Sequence, residues 1–165
     1  LHTAYRRQRQ MCIETGGAPN CLGIYAPTIR YHEGIFYCIV TNVGGRSGGN
    51  FFVYTTDPYG RWSNPVKLPF AGIDPSLFFD EDGRIYYTGT DTGIYIAEIT
   101  FDVVRNDTPK RNELPVSIQN VKCGEKHYIW NGSGGNNPEG PHLYRIHDMY
   151  YLSLYTSPSP RDRTR

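Results

Sequence analysis

The sequence predicts an all-β chain of repeated four-stranded antiparallel units, and three observations lead there. Proline recurs at one place near the start of three similar segments, residues 26–37, 74–87 and 140–151. Each segment is a short β-rich run, a turn at Glu33-Gly34, Asp82-Gly83 or His147-Asp148, and then an aromatic strand. Glu-Gly and Asp-Gly between such runs are hairpin signals. Helical 3.6-residue periodicity is convincing nowhere.

Taken in order, the first repeat places strands at 26–32, 35–41, 51–56 and 66–68. Glu33-Gly34 joins the first two, the Gly-rich link 44–49 the next, and the Asp-Pro-Tyr-Gly turn at 57–60 precedes the last. A four-stranded meander returning every 40–50 residues or so is the mark of a β-propeller blade. A β-sandwich also alternates and turns often, but it does not explain proline at the same place before each hairpin. The second repeat is longer, so an excursion is expected in the polar stretch 106–120. The chain holds about two and a half blades, too few to close a ring, and an open ring leaves strand edges exposed. It is therefore expected to be one part of a larger propeller: a poorly matching segment 1–21, a partial propeller 22–154 and a non-native tail 155–165.

Composition narrows the function. The chain has 165 residues, 38% of them apolar, with 14 tyrosines, enough for one domain with a real core. Arg6, Arg7 and Arg9 at one end and Arg161, Arg163 and Arg165 at the other take much of the positive charge, leaving an acidic body. An acidic body argues against nucleic acid as partner. No apolar run reaches membrane-spanning length, so no membrane partner is expected. No apolar signal region follows Leu1, and the compartment, cytoplasmic or secreted, stays open. Cys12, Cys21, Cys38 and Cys123 form no metal-ligand spacing, so no metal site is expected from them. Cys38 sits in an apolar run as a small hydrophobe. His32, His127 and His147 fall in turns or outer strands. The sequons at Asn106 and Asn131 matter only in a eukaryotic secretory route.

In a propeller the first strand of each blade lines the central channel, so the residues that open the repeats converge. Asp74 and Glu139 are then two carboxylates aimed at one cavity, where crowding separates their proton affinities. Asp-Pro and Glu-Gly also suit plain turns, and that reading stays open. Tyr25 opens the first inner strand, where its plain role is a packing surface in the channel wall. Ala26 lies beside it. Thr41 and Asn42 end a strand near the same pocket. His142 faces the channel by alternation from Gly140, with structural hydrogen bonding as its plainer role.

Four stretches carry a resemblance: residues 23–32 (Gly-Ile-Tyr-Ala-Pro-Thr-Ile-Arg-Tyr-His), 57–66 (Asp-Pro-Tyr-Gly-Arg-Trp-Ser-Asn-Pro-Val), 72–83 (opening Gly-Ile-Asp-Pro-Ser) and 138–144 (Pro-Glu-Gly-Pro-His-Leu-Tyr). In that order they resemble signatures of glycoside hydrolase family 43, which contains five-bladed β-propeller β-xylosidases and α-L-arabinofuranosidases. The resemblance implies an inverting hydrolase with three carboxylates. Glu139 matches its general acid, and Asp74 the aspartate that orients the acid and raises its pKa. Tyr25, Ala26, Asn42 and His142 are the candidate substrate-binding residues. The general base would be an aspartate upstream of the Tyr-Ala-Pro strand. No aspartate precedes Asp57 here, and residues 1–21 hold only Glu14 as an acid, so the general base is absent from this chain.

An inverting site needs its two carboxyls about 6.5–9.5 Å apart, and this chain supplies one side of that arrangement. It is therefore expected to be inactive alone. No cofactor is required. The resemblance allows a structural calcium in the channel, without a readable ligand set. The implied partner is an oligo- or polysaccharide derived from xylan or arabinan, the oligomeric state being open. The alternative is a carbohydrate-binding propeller without catalysis, which has no use for two such carboxylates.

Overall fold

The computed structural model describes residues 23–44, 48–131 and 138–154. The expected N-terminal segment and tail, with Cys12 and Cys21, fall outside them, as does most of the sequon at 131–133. Every described element is a strand, in three consecutive antiparallel sheets. The first contains β1 (Ile24–His32), β2 (Ile35–Asn42), β3 (Gly49–Thr55) and β4 (Val66–Lys67), paired in chain order. The second contains β5 (Ile73–Phe79), β6 (Ile85–Thr90), β7 (Ile94–Arg105) and β8 (Val116–Cys123), with β9 (His127–Trp130) also on β7. The third is the hairpin of β10 (His142–Ile146) and β11 (Met149–Ser153). The opening strands β1, β5 and β10 lie side by side, as inner strands of propeller blades do. The fold class is the one the sequence predicts.

The turns follow from their residues. Glu33 and Gly34 both take left-handed backbone, φ 47° and 84°, as the tight primed hairpin turn requires. In the next blade Gly83 (φ 85°) closes the turn, its N–H on the Asp80 carbonyl at 3.1 Å. Asp57 is bridged by the Gly60 N–H at 2.9 Å, while its side chain accepts the Tyr59 N–H.

The long second repeat departs from expectation in one respect. Residues 106–115 are the connection, but residues 116–120 pair with β7 as part of β8. The rest of the added length is the extra strand β9 and the link to β10. β8 covers the outer half of β7 and β9 its inner half, so the fourth strand of this blade is divided.

Alternation along the strands decides where the core sits. Ile35, Tyr37 and Ile39 of β2, with Phe52 and Tyr54 of β3, face the second sheet and meet Leu77, Tyr87, Tyr95, Ala97 and Ile99. The main core is thus between blades, not within one. Val40, Phe51 and Val53 point the other way, and Cys38 packs there as expected. Burying this many aromatic and aliphatic side chains contributes about 1.5–3 kcal/mol each before entropic costs.

Candidate active site

At or just before the start of each inner strand stands a residue that precedes proline: Ala26, Asp74 and Gly140. All three take left-handed backbone, φ 46°, 54° and 62°. For an L-residue this costs about 1–2 kcal/mol, and glycine at 140 avoids it. In β1 the pairing with β2 slips between Tyr25 and Thr28; in β5 the pairing with β6 slips between Ile73 and Ser76. Such bulges re-aim a side chain out of the ladder. At position 74 the re-aimed side chain is a carboxylate.

The Asp74 Oδ2 accepts the Gly140 N–H at 3.0 Å, so the openings of the second and third sheets are joined at the residue next to Glu139. A cavity of about 520 Å³ lies there, with Ala26, Arg30, Asp74, Gly140 and His142 in its wall. Asp74 is approached by a locked linker. Asn50, 1% exposed, has its Nδ2 within bonding distance of the Phe70 carbonyl (3.1 Å) and the Tyr87 hydroxyl (2.8 Å). Its Oδ1 accepts the Thr41 hydroxyl at 2.6 Å. The Tyr95 hydroxyl donates to the Ala71 carbonyl at 2.7 Å. Burial raises both tyrosine hydroxyls above their ordinary range, so both stay protonated, Tyr95 donating to Ala71 and Tyr87 accepting from Asn50. Gly72 (φ 103°) packs so tightly that a Cβ would stand 2.1 Å from the Thr90 carbonyl oxygen.

Beyond Asp74 the inner strands meet around Arg30. Its Nη2 donates to Ser76 Oγ at 3.1 Å and to His142 Nδ1 at 2.9 Å, and its Nε donates to the Leu77 carbonyl at 3.0 Å. A guanidinium can only donate, so His142 Nδ1 is the acceptor and the neutral ring carries its proton on Nε2. Burial, and then the Arg30 charge, hold His142 below its ordinary pKa of 6.5, with Asp74 pulling the other way.

Of the sequence-predicted residues, Ala26, Asp74 and His142 line the cavity together. Tyr25 is half exposed at the start of β1. Glu139 is exposed beside Gly140, on the near side of residues 132–137, which are not described. Asn42, opposite Ile24 across the β1–β2 ladder, is not among the cavity's lining residues. It is 2% exposed, its Oδ1 accepts the Gly44 N–H at 3.1 Å, and among the described residues its Nδ2 meets no acceptor. Sequence reasoning missed Arg30 and Asn50. For Arg30 the signal was available: it is two residues beyond Thr28, on the strand face that Ser76 and His142 occupy in the other repeats.

The likeness to known proteins runs through this geometry. Residues 2–157 match the family described as glycosyl hydrolases family 43. The chain is 46% identical over 137 residues to a xylosidase/arabinosidase of Butyrivibrio fibrisolvens, covering 79% of this chain and 25% of that protein. It is 38% identical over 132 residues to a non-reducing end alpha-L-arabinofuranosidase of Bacteroides ovatus, covering 79% and 22%. Among solved structures it resembles a xylan beta-1,4-xylosidase from Bacillus halodurans with a TM-score of 0.63 and 30% identity, over 87% of this chain and 27% of that one. The chain thus spans about a quarter of the length of the relatives it matches. The repeats, their order and the match across nearly the whole chain agree, and this chain belongs to glycosyl hydrolases family 43.

Proposed function

We propose that this chain is the acid-bearing side of a glycoside hydrolase that cleaves xylan- or arabinan-derived pentosides with inversion. The bond from Gly140 to Asp74 is the observation that supports it most, because it couples the two repeat openings whose carboxylates the reaction needs. In this reading Glu139 protonates the glycosidic oxygen as the leaving sugar departs. Asp74 fixes the backbone on which Glu139 stands, and its charge favours the protonated acid. Tyr25 lends an aromatic face to the pentose, and Ala26 leaves room for it. His142, kept neutral by burial and by Arg30, can donate from Nε2 toward a sugar hydroxyl. The water that attacks the opposite face needs a base, and no residue of this chain is assigned to it.

The test is a chimera in which this chain replaces the matching quarter of the Butyrivibrio fibrisolvens relative. Hydrolysis of nitrophenyl β-xyloside or α-arabinofuranoside with inverted product supports the proposal. A soluble chimera that binds xylo-oligosaccharides without turning them over points to the carbohydrate-binding alternative. The isolated chain should hydrolyse neither substrate.

A further inference from the structure

The bonds of Arg30 link all three sheets. One guanidinium on β1 donates to the Ser76 hydroxyl and the Leu77 carbonyl on β5, to the His142 ring on β10, and to the Ile29 carbonyl of its own strand at 3.1 Å. Among the described residues no carboxylate forms an ion pair with it. The resemblance to the family allows a calcium ion where inner strands converge, and the residues present do not fit one. Calcium takes six to eight oxygen ligands, carboxylates prominent among them. Here the acceptors around Arg30 are one hydroxyl, two backbone carbonyls and one imidazole nitrogen, and its N–H groups already occupy all four. The one carboxylate in the same cavity wall, Asp74, already accepts the Gly140 N–H. Among the described residues no three His, Cys, Asp or Glu side chains are placed to hold a metal. A permanent positive charge at the centre repels a second cation.

We propose that Arg30 is the channel cation of this protein, a covalently attached replacement for a bound metal. A calcium ion would draw oxygens from several blades toward one charge. Arg30 does the same with directed N–H bonds, and it does so at all metal concentrations. Ser76 is two residues from Asp74 and His142 three from Glu139, so the same side chain sets the spacing between the two carboxylate-bearing strand openings. The neutral state of His142 agrees with a cation held against its Nδ1. Lysine could not serve equally, because one ammonium cannot reach the Leu77 carbonyl and the His142 ring with the fork geometry of a guanidinium.

The full chain decides the matter by thermal unfolding and calorimetry, with calcium chloride as the probe. The wild type should melt at the same temperature in millimolar calcium and in a chelator, and should give no heat of calcium binding. Arg30→Ala should lower Tm by about 4 °C or more. Ethylguanidinium at tens of millimolar should restore part of that loss in Arg30→Ala and leave the wild type unchanged. Arg30→Lys should recover less than the added guanidinium does. Calcium binding by the wild type with a rise in Tm would overturn the proposal, and so would an Arg30→Ala chain that melts like the wild type. If Arg30→Ala fails to fold, the wild-type calcium titration and the Arg30→Lys melt still decide it.

Discussion

The Asp74 carboxylate holds the Gly140 N–H at 3.0 Å, so the residue beside Glu139 is anchored to a side chain on the neighbouring sheet. Neither end of this bond is in ordinary strand geometry. Both residues have left-handed backbone and both precede a proline. The two departures place a side chain and an N–H toward one another that regular strands would have turned into their own ladders.

Removing the Asp74 carboxylate should therefore loosen the third sheet before it affects any chemistry. A bond from a backbone N–H to a charged acceptor contributes about 1.5–3 kcal/mol when well shielded, and Asp74 is only partly buried. Asp74→Ala should lose about 1–2 kcal/mol in urea unfolding. Asp74→Asn keeps an acceptor oxygen and a residue tolerant of left-handed backbone, and should lose less than half as much. Equal losses for the two would mean that the bond contributes nothing.

Gly72 should be far less replaceable than Gly34, although both have positive φ, 103° and 84°. At Gly34 a Cβ meets open space, so Gly34→Ala should cost only the backbone strain of about 1–2 kcal/mol. At Gly72 the same atom would stand 2.1 Å from the Thr90 carbonyl oxygen, which is backbone and cannot swing aside. Gly72→Ala should cost well over about 2 kcal/mol in urea unfolding, or prevent folding.

The pH dependence of stability should show a contribution from His142. Its folded pKa lies below the ordinary 6.5, held there by burial and then by Arg30. A group depressed in this way contributes fully above the unfolded value, and the contribution is lost as pH falls from about 6.5 through the folded value. The His142 ring signal in NMR should therefore titrate below 6.5. Arg30→Gln should move that titration upward, and Asp74→Asn should move it further down. The opposite order would mean that Arg30 does not face the ring in solution.

In the chimera, Glu139→Gln should separate substrates by their leaving groups. General acid catalysis is worth on the order of 10²–10⁴ in rate, so hydrolysis of a sugar–sugar bond should fall by about that factor. A nitrophenyl pentoside departs with little protonation and should lose much less. Equal losses on the two substrates would remove Glu139 as the acid.

The parts of the fold that were readable rest on local chemistry. Glycine and proline at fixed places announced the hairpins, and the strands of the first sheet begin and end within about two residues of their predicted limits. The parts that were not readable need neighbours distant in sequence. Pre-proline residues favour extended backbone, so nothing in the letters marks Ala26 and Asp74 as left-handed; the bulges that demand it form only once β2 and β6 are in register. Asn50 sits at the end of a glycine-rich link and reads as loop. Its burial follows from Phe70 and Tyr87, twenty or more positions away. Asn42 was expected to face the pocket because it ends a strand near it; its side-chain oxygen accepts the Gly44 N–H of the link beyond β2.

The placement of the core has a dynamic consequence. The first and second sheets share a large apolar cluster, whereas the third is attached to the second mainly by polar contacts: Gly140 to Asp74, the Thr88 hydroxyl to the Pro141 carbonyl, and Asp80 to Arg145 and Tyr150. A sheet held to its neighbour mainly by polar contacts has a lower opening free energy than two sheets that share an apolar core. Its amide protons should exchange with deuterium through sub-global openings while those of β2 and β6 wait for global unfolding. Each opening separates His142 from Arg30 and Gly140 from Asp74, so the assembled site is a population. A ligand that bridges Asp74 and β10 would bind the closed form and enlarge that population by mass action.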